Sequence, residues 1–408
     1  MTRSRRRSAI VVSPGKARRV LIIVENLPVP FDQRVWHQAQ SLRDAGYHIS
    51  IICPVGGSHR ARHEVLDGIE IFRHPFPLEA DGPLGYLLEY ANALFWQTVL
   101  AWRVFLTRGF DIIQGCNPPD DIFIVAAPFK VVGKRYIYDQ HDLAPEMFHA
   151  KFGRRGIFFR IMILFEWLSY RLADVVIVTN ESYREVAEQR GANPDRVFVV
   201  RNGPKVQQEP ADPVHEVVCR ERSFLVGYVG IMGRQENVDL LLRSVQYIVN
   251  TKGRRDLRFC LIGGGTELES LKSYARELGI EKYVTFTGLV AHEVAMKKLN
   301  ASDVCVSPEV VNDINNKSTM IKVMEYMALG KPIVQFDLIE GRYSAQHASL
   351  YARSNDETDF AEKILYLVDH PEVRKRMGEF GRRRIEQELA WRHQAPKLLA
   401  AYAAALDS

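Results

Sequence analysis

The sequence predicts an α/β chain built on two doubly wound parallel sheets, and three observations carry that expectation. Apolar runs of strand length alternate with runs of helix length along nearly the whole chain, the pattern of strand–helix–strand units. The alternation is interrupted at "PKVQQEPADPVHEV" (204–217), a polar stretch with three prolines and no helical period, and restarts beyond it. A chain of 408 residues also exceeds what one core usually organises, so two domains of roughly 200 residues are expected.

In order, "RVLIIVEN" (19–26) reads as a strand, "DQRVWHQAQSLRDAG" (32–46) as a helix and "YHISIICP" (47–54) as a strand. "GIEIFRHP" and "FDIIQGC" (110–116) read as strands on either side of a helix within 86–107. "RYIYDQHD" (135–142), "DVVIVTN" (174–180) and "VFVVRNG" (197–203) are further strands with helices between them. The second half repeats the scheme with "FLVGYVG" (224–230), "LRFCLIG" (257–263), "YVTFTG" (283–288), "DVCVSP" (303–308), "PIVQFD" (332–337) and "SLYAR" (349–353). From Pro371 the tail is helical. The expected organisation is a basic arm (1–19), a Rossmann-like first domain (20–203), a linker (204–222), a Rossmann-like second domain (223–385) and a closing helix (386–408) that caps the second domain or crosses back to the first.

The net charge of +5 comes from that arm, which holds seven Lys and Arg residues and no acid before Val20. The remaining body is slightly acidic, which excludes a basic nucleic-acid binder; the arm reads as a solvated tail or as a tether to acidic lipid. Cys53, Cys116, Cys219, Cys260 and Cys305 show no paired spacing. They read as buried thiols in a reducing cytosol, with no zinc site. The most membrane-like stretches, 86–106 and 156–172, are each interrupted by Glu or Arg and read as core helices rather than spans. "KFGRRGIFFR" sets basic residues beside aromatics, a composition suited to an interfacial helix.

Open parallel sheets bind ligands beyond the carboxyl ends of their strands, so the residues there are the ones to read. "YVGIMGRQENVD" offers Gly230 and Gly233 for close backbone approach and Arg234 as a phosphate clamp, each helix start being an anion site. "IGGGTELESL" places Gly264 in a second glycine turn, but the last glycine of a dinucleotide fingerprint is replaced by Leu268, so NAD is not expected. In "STMIKVMEYMALGKPIV" (318–334), Ser318 reads as a helix N-cap and Gly330 as its stop. Met320, Val323, Met324, Met327 and Ala328 form its apolar face, and Ser318, Lys322 and Glu325 share the neighbouring stripe. Lys322 and Glu325 read either as a solvated i, i+3 ion pair or as a nucleotide-diphosphate arrangement, with Lys322 neutralising phosphate and Glu325 accepting from ribose hydroxyls. His141 ends a strand between Asp139 and Asp142, too polar a setting for a core histidine. Asp142 is expected to orient the ring or cap the next helix. The prolyl loops at two strand ends offer Asp32, Arg34, Asn117 and Asp120 to an acceptor, although Asp32 also suits an N-cap.

"EYMALGKPIV", "FCLIGGG…LGIEKYVTFTG", "RVWHQAQSLRDAGY", "YDQHDLAPEM", "VVRNGP" and "ELAW…LLAAY" together resemble the group 1 (family 4) glycosyltransferases. The resemblance runs from about residue 20 to 402. It implies a GT-B fold with two Rossmann-like domains facing across a cleft, a nucleotide-diphosphate sugar held mostly by the second domain, and transfer with retention and without a metal ion or other cofactor. Glu325 matches the second acid of the family's E-x7-E motif, which holds the donor ribose. The first acid, which contacts the donor sugar, is replaced by Lys317. Arg234 stands where the diphosphate clamp is expected, but "QENVD" lacks the clamp's lysine. His141 matches a histidine that reaches the donor sugar, and Asn202 with Gly203 match the hinge beside the nucleotide. The resemblance further implies a glycan or lipid-linked acceptor, a part in cell-surface polysaccharide synthesis, and a cytoplasmic protein in peripheral contact with the membrane. A GT-B module that binds a sugar nucleotide without turnover, or a sugar-nucleotide epimerase, remain alternatives.

Overall fold

In the computed structural model, which describes residues 18–56, 59–75, 82–152, 156–205 and 223–407, the apolar runs form two separate sheets. Most of the basic arm, most of the linker with Cys219, and part of "KFGRRGIFFR" lie outside the described residues. The first half runs Arg19–Val24 (β1), Gln33–Asp44 (α1), His48–Pro54 (β2), His63–Leu66 (β3), Ile69–His74 (β4), Gly82–Thr107 (α2), Ile112–Cys116 (β5), Phe123–Val131 (α3), Arg135–Gln140 (β6), Ala144–Phe152 (α4), Ile157–Leu172 (α5), Val175–Val178 (β7), Glu181–Gln189 (α6) and Val197–Val199 (β8). Its strand order is β3-β4-β2-β1-β5-β6-β7-β8. β1 pairs in parallel with β2 and β5, while β3 runs antiparallel to β4 at the edge. The sequence reading missed β3, whose "HEVL" is short, polar and half exposed. From Val20 to Val24, β1 is wholly buried, as a parallel strand covered on both faces must be.

The second half runs Phe224–Val229 (β9), Val238–Gln246 (α7), Leu257–Ile262 (β10), Leu268–Glu277 (α8), Val284–Phe286 (β11), His292–Asn300 (α9), Val304–Ser307 (β12), Ile321–Ala328 (α10), Ile333–Phe336 (β13), Ile339–Ala345 (α11), Ser349–Ala352 (β14), Glu357–Asp369 (α12), Pro371–Arg384 (α13) and Trp391–Leu406 (α14). The order β11-β10-β9-β12-β13-β14, parallel throughout, is that of a doubly wound dinucleotide-type sheet. Its switch point lies between β9 and β12. The closing segment is two helices, α13 and α14, joined by a π-turn at Ile385–Leu389.

The chain divides into unit 1, Met1–Ile177 with Gly191–Val197 and Leu399–Ser408, and unit 2, Val178–Arg190 with Phe198–Leu398. Thus α6, read as part of the first domain, belongs with unit 2, and the last turns of α14 belong with unit 1. A Cβ on Gly203 would stand 2.0 Å from the Leu389 carbonyl, so this position is reserved for glycine by close backbone packing within unit 2. Cys53, Cys116, Cys260 and Cys305 are buried free thiols, as expected. No helix among the described residues is long and apolar enough to cross a membrane.

Candidate active site

In unit 2, α10 begins at Ile321, not at Ser318, and Met320 occupies its N-cap position without a side-chain bond. Ser318 instead donates through Oγ to the Ile314 carbonyl at 2.9 Å. The residues before the helix close a turn in which Asn312 Oδ1 accepts from the Ile314 and Asn315 amides, and that tighter turn takes the chain from the helical path. The stop is as read: Gly330, at φ +69°, donates to Met327 O and Lys331 N donates to Tyr326 O, a Schellman ending.

Val323, Met324 and Met327 are buried as expected, and Tyr326 joins them with no exposure. Tyr326 Oη accepts from the Val229 amide at 3.0 Å and donates to the Val306 carbonyl at 3.2 Å. The described β9–β12 pairing covers Val226 and Gly227 against Val304 and Cys305. Beyond it, the hydroxyl acts as one more rung between Val229 of β9 and Val306 of β12.

Lys322 and Glu325 do not form an i, i+3 pair, one of the two readings of this stripe. Lys322 Nζ binds Glu236 Oε2 at 2.7 Å and also the buried carboxylate of Glu309, and lies 4.8 Å from the Tyr228 ring centroid. Burial opposes its charge, yet Glu309, with Tyr228 and Glu236, carries its pKa well above the ordinary lysine range. Burial also raises the Glu236 carboxyl, against the pull of Lys322. Neither acid was singled out from the sequence, though both stand just beyond strands: Glu309 two residues after β12, and Glu236 in the "QENVD" that lacks the expected lysine. Asn237 makes the turn possible by taking φ +52°, a left-handed geometry that asparagine tolerates. Glu325 is half-buried and its carboxylate bonds no described residue; burial raises its pKa, with His292 and Lys322 opposing.

The glycine turns serve packing first. A Cβ on Gly263 would stand 1.9 Å from Gly230 O, and one on Gly265 would stand 2.5 Å from Met232 O, so the loops after β9 and β10 lie backbone on backbone. A Cβ on Gly230 would come within 2.9 Å of Lys322 Nζ, so this glycine keeps the ammonium clear. Side chains of neighbouring residues crowd Gly233 and Gly264, Gln235 and Leu289 respectively. Arg234 is exposed and, like the Lys317 ammonium, pairs with no described acid. The Lys317 carbonyl accepts from Asn180 Nδ2 at 2.7 Å. Asn202, half-buried, follows the buried Arg201–Glu340 ion pair.

In unit 1, β6 delivers Asp139, with no exposed surface, to the carboxyl end of its sheet. Its Oδ1 accepts from Arg34 Nη2 at 2.7 Å, and its Oδ2 accepts from Gln38 Nε2 at 2.7 Å and Gln114 Nε2 at 3.0 Å. The same Oδ2 meets His141 Nε2 at 2.9 Å. Burial would raise the Asp139 pKa; Arg34 and His141 outweigh it and hold the carboxyl well below the usual range. Asp139 therefore orients the ring, which corrects the role read for Asp142. The Asp142 carboxyl is pushed up by burial, with His141 and Arg34 opposing.

The residues read as facing an acceptor have internal partners. Asp32 Oδ1 caps α1 by accepting from Val35 N at 3.0 Å, and Arg34 belongs to Asp139. Asn117 Oδ1 accepts from the His141 amide at 2.6 Å, while its Nδ2 donates to Asp120 Oδ1 and the Asp142 carbonyl, both at 2.8 Å. Asp120 also accepts from Tyr138 Oη. Cys116, Asp139 and His141 place potential metal-ligand atoms within 4.8 Å of one another. Burial carries the Cys116 thiol well above its ordinary pKa and Arg34 already neutralises Asp139, so the trio reads as a hydrogen-bonded cluster rather than a cation site.

Residues 32–203 match the family model of a glycosyl transferase 4-like domain, and residues 223–370 match that of glycosyl transferases group 1; together the two span most of the chain. The chain belongs to the group 1 glycosyltransferases. Its sheets are the two Rossmann-like halves of a GT-B protein. The chain is 27% identical over 223 residues to D-inositol 3-phosphate glycosyltransferase of Corynebacterium jeikeium (strain K411), covering 51% of this chain and 52% of that one. The chain thus spans about half the length of the curated relatives it matches. In fold it is similar to sucrose-phosphate synthase from Thermosynechococcus elongatus, with a TM-score of 0.75 at 17% identity, over 96% of this chain and 99% of that one. It is likewise similar to the Anabaena protein HepE in complex with UDP and glucose, with a TM-score of 0.71 at 16% identity, over 94% and 99%.

Proposed function

We propose that this group 1 glycosyltransferase moves a sugar from a nucleoside-diphosphate sugar to a glycan or lipid-linked acceptor, with retention of configuration and without a metal ion. The observation that carries this reading is the helix at the unit 2 switch point. α10 opens beside the loops after β9 and β12 and carries one ammonium, Lys322, and one half-buried carboxylate with no bond to a described residue, Glu325. Glu325 receives the ribose hydroxyls. Charge developing on the departing diphosphate falls to the amides opening α10, to Lys322 and to Arg234, which substitutes for metal assistance. Glu309 and Glu236 both engage Lys322, an arrangement that does not supply a nucleophilic carboxylate pair of the glycosidase kind. Attack from the leaving-group side, with the diphosphate assisting deprotonation of the acceptor, fits this set of groups. His141 and Asp142 serve the donor sugar, and Gly230, Gly233, Gly264, Lys317, Ser318 and Asn202 shape the donor site. HepE, crystallised with UDP and glucose, supports a nucleotide-sugar donor.

Cell-surface polysaccharide synthesis at the cytoplasmic membrane face is the process this reading suits. On α5, Ile157, Phe158, Ile161, Leu164 and Trp167 are exposed, and Arg160 and Arg171 stand exposed beside them, a composition for peripheral contact with acidic lipid. One observation favours a second reading: Lys322 is already neutralised by two carboxylates, as a module that binds without turnover would tolerate. Product analysis decides between them. Incubation with UDP-, GDP- and ADP-sugars and a lipid-linked acceptor pool is expected to give one glycosylated product with the donor's anomeric configuration by NMR. Release of no sugar from any donor refutes the transferase reading, and an inverted product refutes the mechanism.

A further inference from the structure

The Lys322 ammonium has three N–H donors, and it faces three acceptors: Glu236 Oε2 at 2.7 Å, the Glu309 carboxylate, and Tyr228 Oη at 3.4 Å. These residues come from the turn after β9, the loop after β12 and β9 itself, so the set lies wholly within unit 2. Its formal charge is one positive against two negative. A diphosphate brought to Lys322 therefore competes with acceptors already in place, two of them anions.

The two acids are held differently. Glu309 is 1% exposed, and both its oxygens accept, Oε1 from Lys322 and Oε2 from Ser307 Oγ, which suits a carboxylate that stays ionised. Glu236 ends the short turn Arg234–Glu236, its side chain is 20% exposed, and Lys322 and Tyr228 both address one of its oxygens, Oε2. Asn237 Oδ1 accepts from the Val310 amide at 3.3 Å, which ties this turn to the loop of Glu309. The two carboxyl groups also make a hydrogen-bond contact with each other, and such a contact needs a proton on one of them. Burial raises the Glu236 carboxyl; Lys322 opposes and Glu309 adds to the rise. The remaining titratable and charged neighbours are Tyr228, whose hydroxyl burial holds above its ordinary range, and Arg234 on the same turn, which is exposed.

We propose that Glu236 and Glu309 form a one-proton gate on Lys322: a diphosphate group binds there together with one proton from solvent, which settles on Glu236 and releases one Lys322 N–H to a phosphate oxygen. The identity of the diphosphate as a sugar donor rests on the transferase reading above; the proton linkage does not. Protonated Glu236 donates to Glu309, so no buried charge loses its partner, and the set becomes neutral as the anion arrives. A neighbouring negative charge disfavours the ionised carboxyl, so phosphate and proton each strengthen the binding of the other. Affinity is then greatest where Glu236 is already protonated before binding, and falls as pH rises beyond that point.

The experiment is titration calorimetry of the full chain with UDP-, GDP- and ADP-glucose, and with inorganic pyrophosphate as a probe lacking base and sugar, in Mops and in Tris from mildly acidic to mildly alkaline pH. The difference in heat between buffers of unlike ionisation enthalpy counts the protons taken up, and the diphosphate of a nucleotide sugar exchanges none of its own in this range. Uptake by the wild type is expected to reach about one proton per ligand, with binding weakened about tenfold per pH unit where uptake is complete. E236Q imitates the protonated acid and is expected to remove both effects. A nucleotide sugar that binds the wild type with no proton uptake overturns the proposal without any variant and leaves the transferase reading standing. Undiminished uptake in folded E236Q also overturns it. If pyrophosphate binds with an uptake that E236Q lowers by about one proton and no nucleotide sugar binds, the donor reading fails while the gate stands. Binding of neither class overturns both.

Discussion

Replacing Tyr326 by Phe removes one oxygen and tests how the unit 2 switch point is held. The ring stays, so no cavity of consequence forms; what is lost is the rung that accepts from Val229 N and donates to Val306 O. Both backbone groups lie around a side chain with no exposure. Leaving a buried polar group unpaired costs about 1–3 kcal/mol, so two such groups give a loss of roughly 2–6 kcal/mol. For a unit of about 200 residues that lowers Tm by roughly 4–24 °C. Differential scanning calorimetry of the full chain resolves the effect, since the transition of unit 2 alone should move. Tyr247→Phe is the control, because its hydroxyl bonds Glu362 at a partly exposed position and its loss should cost under about 1 kcal/mol. A fall in the Tyr326→Phe transition no larger than the control's refutes the claim that the hydroxyl bridges the two strands.

Other consequences follow from individual side chains. Glu236→Gln removes one of the two acids on Lys322 and should strengthen nucleoside-diphosphate binding by about tenfold, or about 1.4 kcal/mol, in titration calorimetry; weaker binding would make Glu236 a donor ligand instead of a rival anion. Asp121 is buried, and burial raises its carboxyl to about 7, above its unfolded value near 3.9. The folded state therefore binds the extra proton between those values, and stability falls as pH rises from about 4 to about 7. Asp121→Asn should stabilise unit 1 by a few kcal/mol at pH 8 and change little at pH 4; equal effects at both pH values in urea titrations would contradict this. The exposed face of α5 predicts sedimentation with vesicles rich in acidic lipid, weakened by Trp167→Glu and by raised salt; equal binding to neutral vesicles would remove the electrostatic part.

The fold was legible because both sheets are parallel and buried, so strands such as β1 and β12 read as unbroken apolar runs. β3 was not, because an edge strand carries few apolar residues. Glu325, Lys322 and His141 were legible as polar residues at strand and helix ends. What stayed hidden was pairing at a distance. The sequence suggested Glu325 as the partner of Lys322, three residues away, but the partners are Glu309 and Glu236, brought by separate loops. It likewise offered Asp142, adjacent to His141, as the ring's orienter. Asp139 serves instead because its Oδ2 lies 2.9 Å from His141 Nε2, just beyond the end of β6. Arg34, Asn117 and Asp120 read as free for an acceptor only because their internal partners lie up to 105 residues away in the chain.

The central claim is that α10 and the loops beside it hold a nucleoside diphosphate. Thermal unfolding with UDP, GDP, ADP, CMP and NAD, each near saturation, tests it most directly. One nucleoside diphosphate at about 100 times its Kd is expected to add about 2.7 kcal/mol, a rise of several degrees that Glu325→Ala abolishes. No shift with any nucleotide, or a shift that Glu325→Ala leaves intact, would contradict the account.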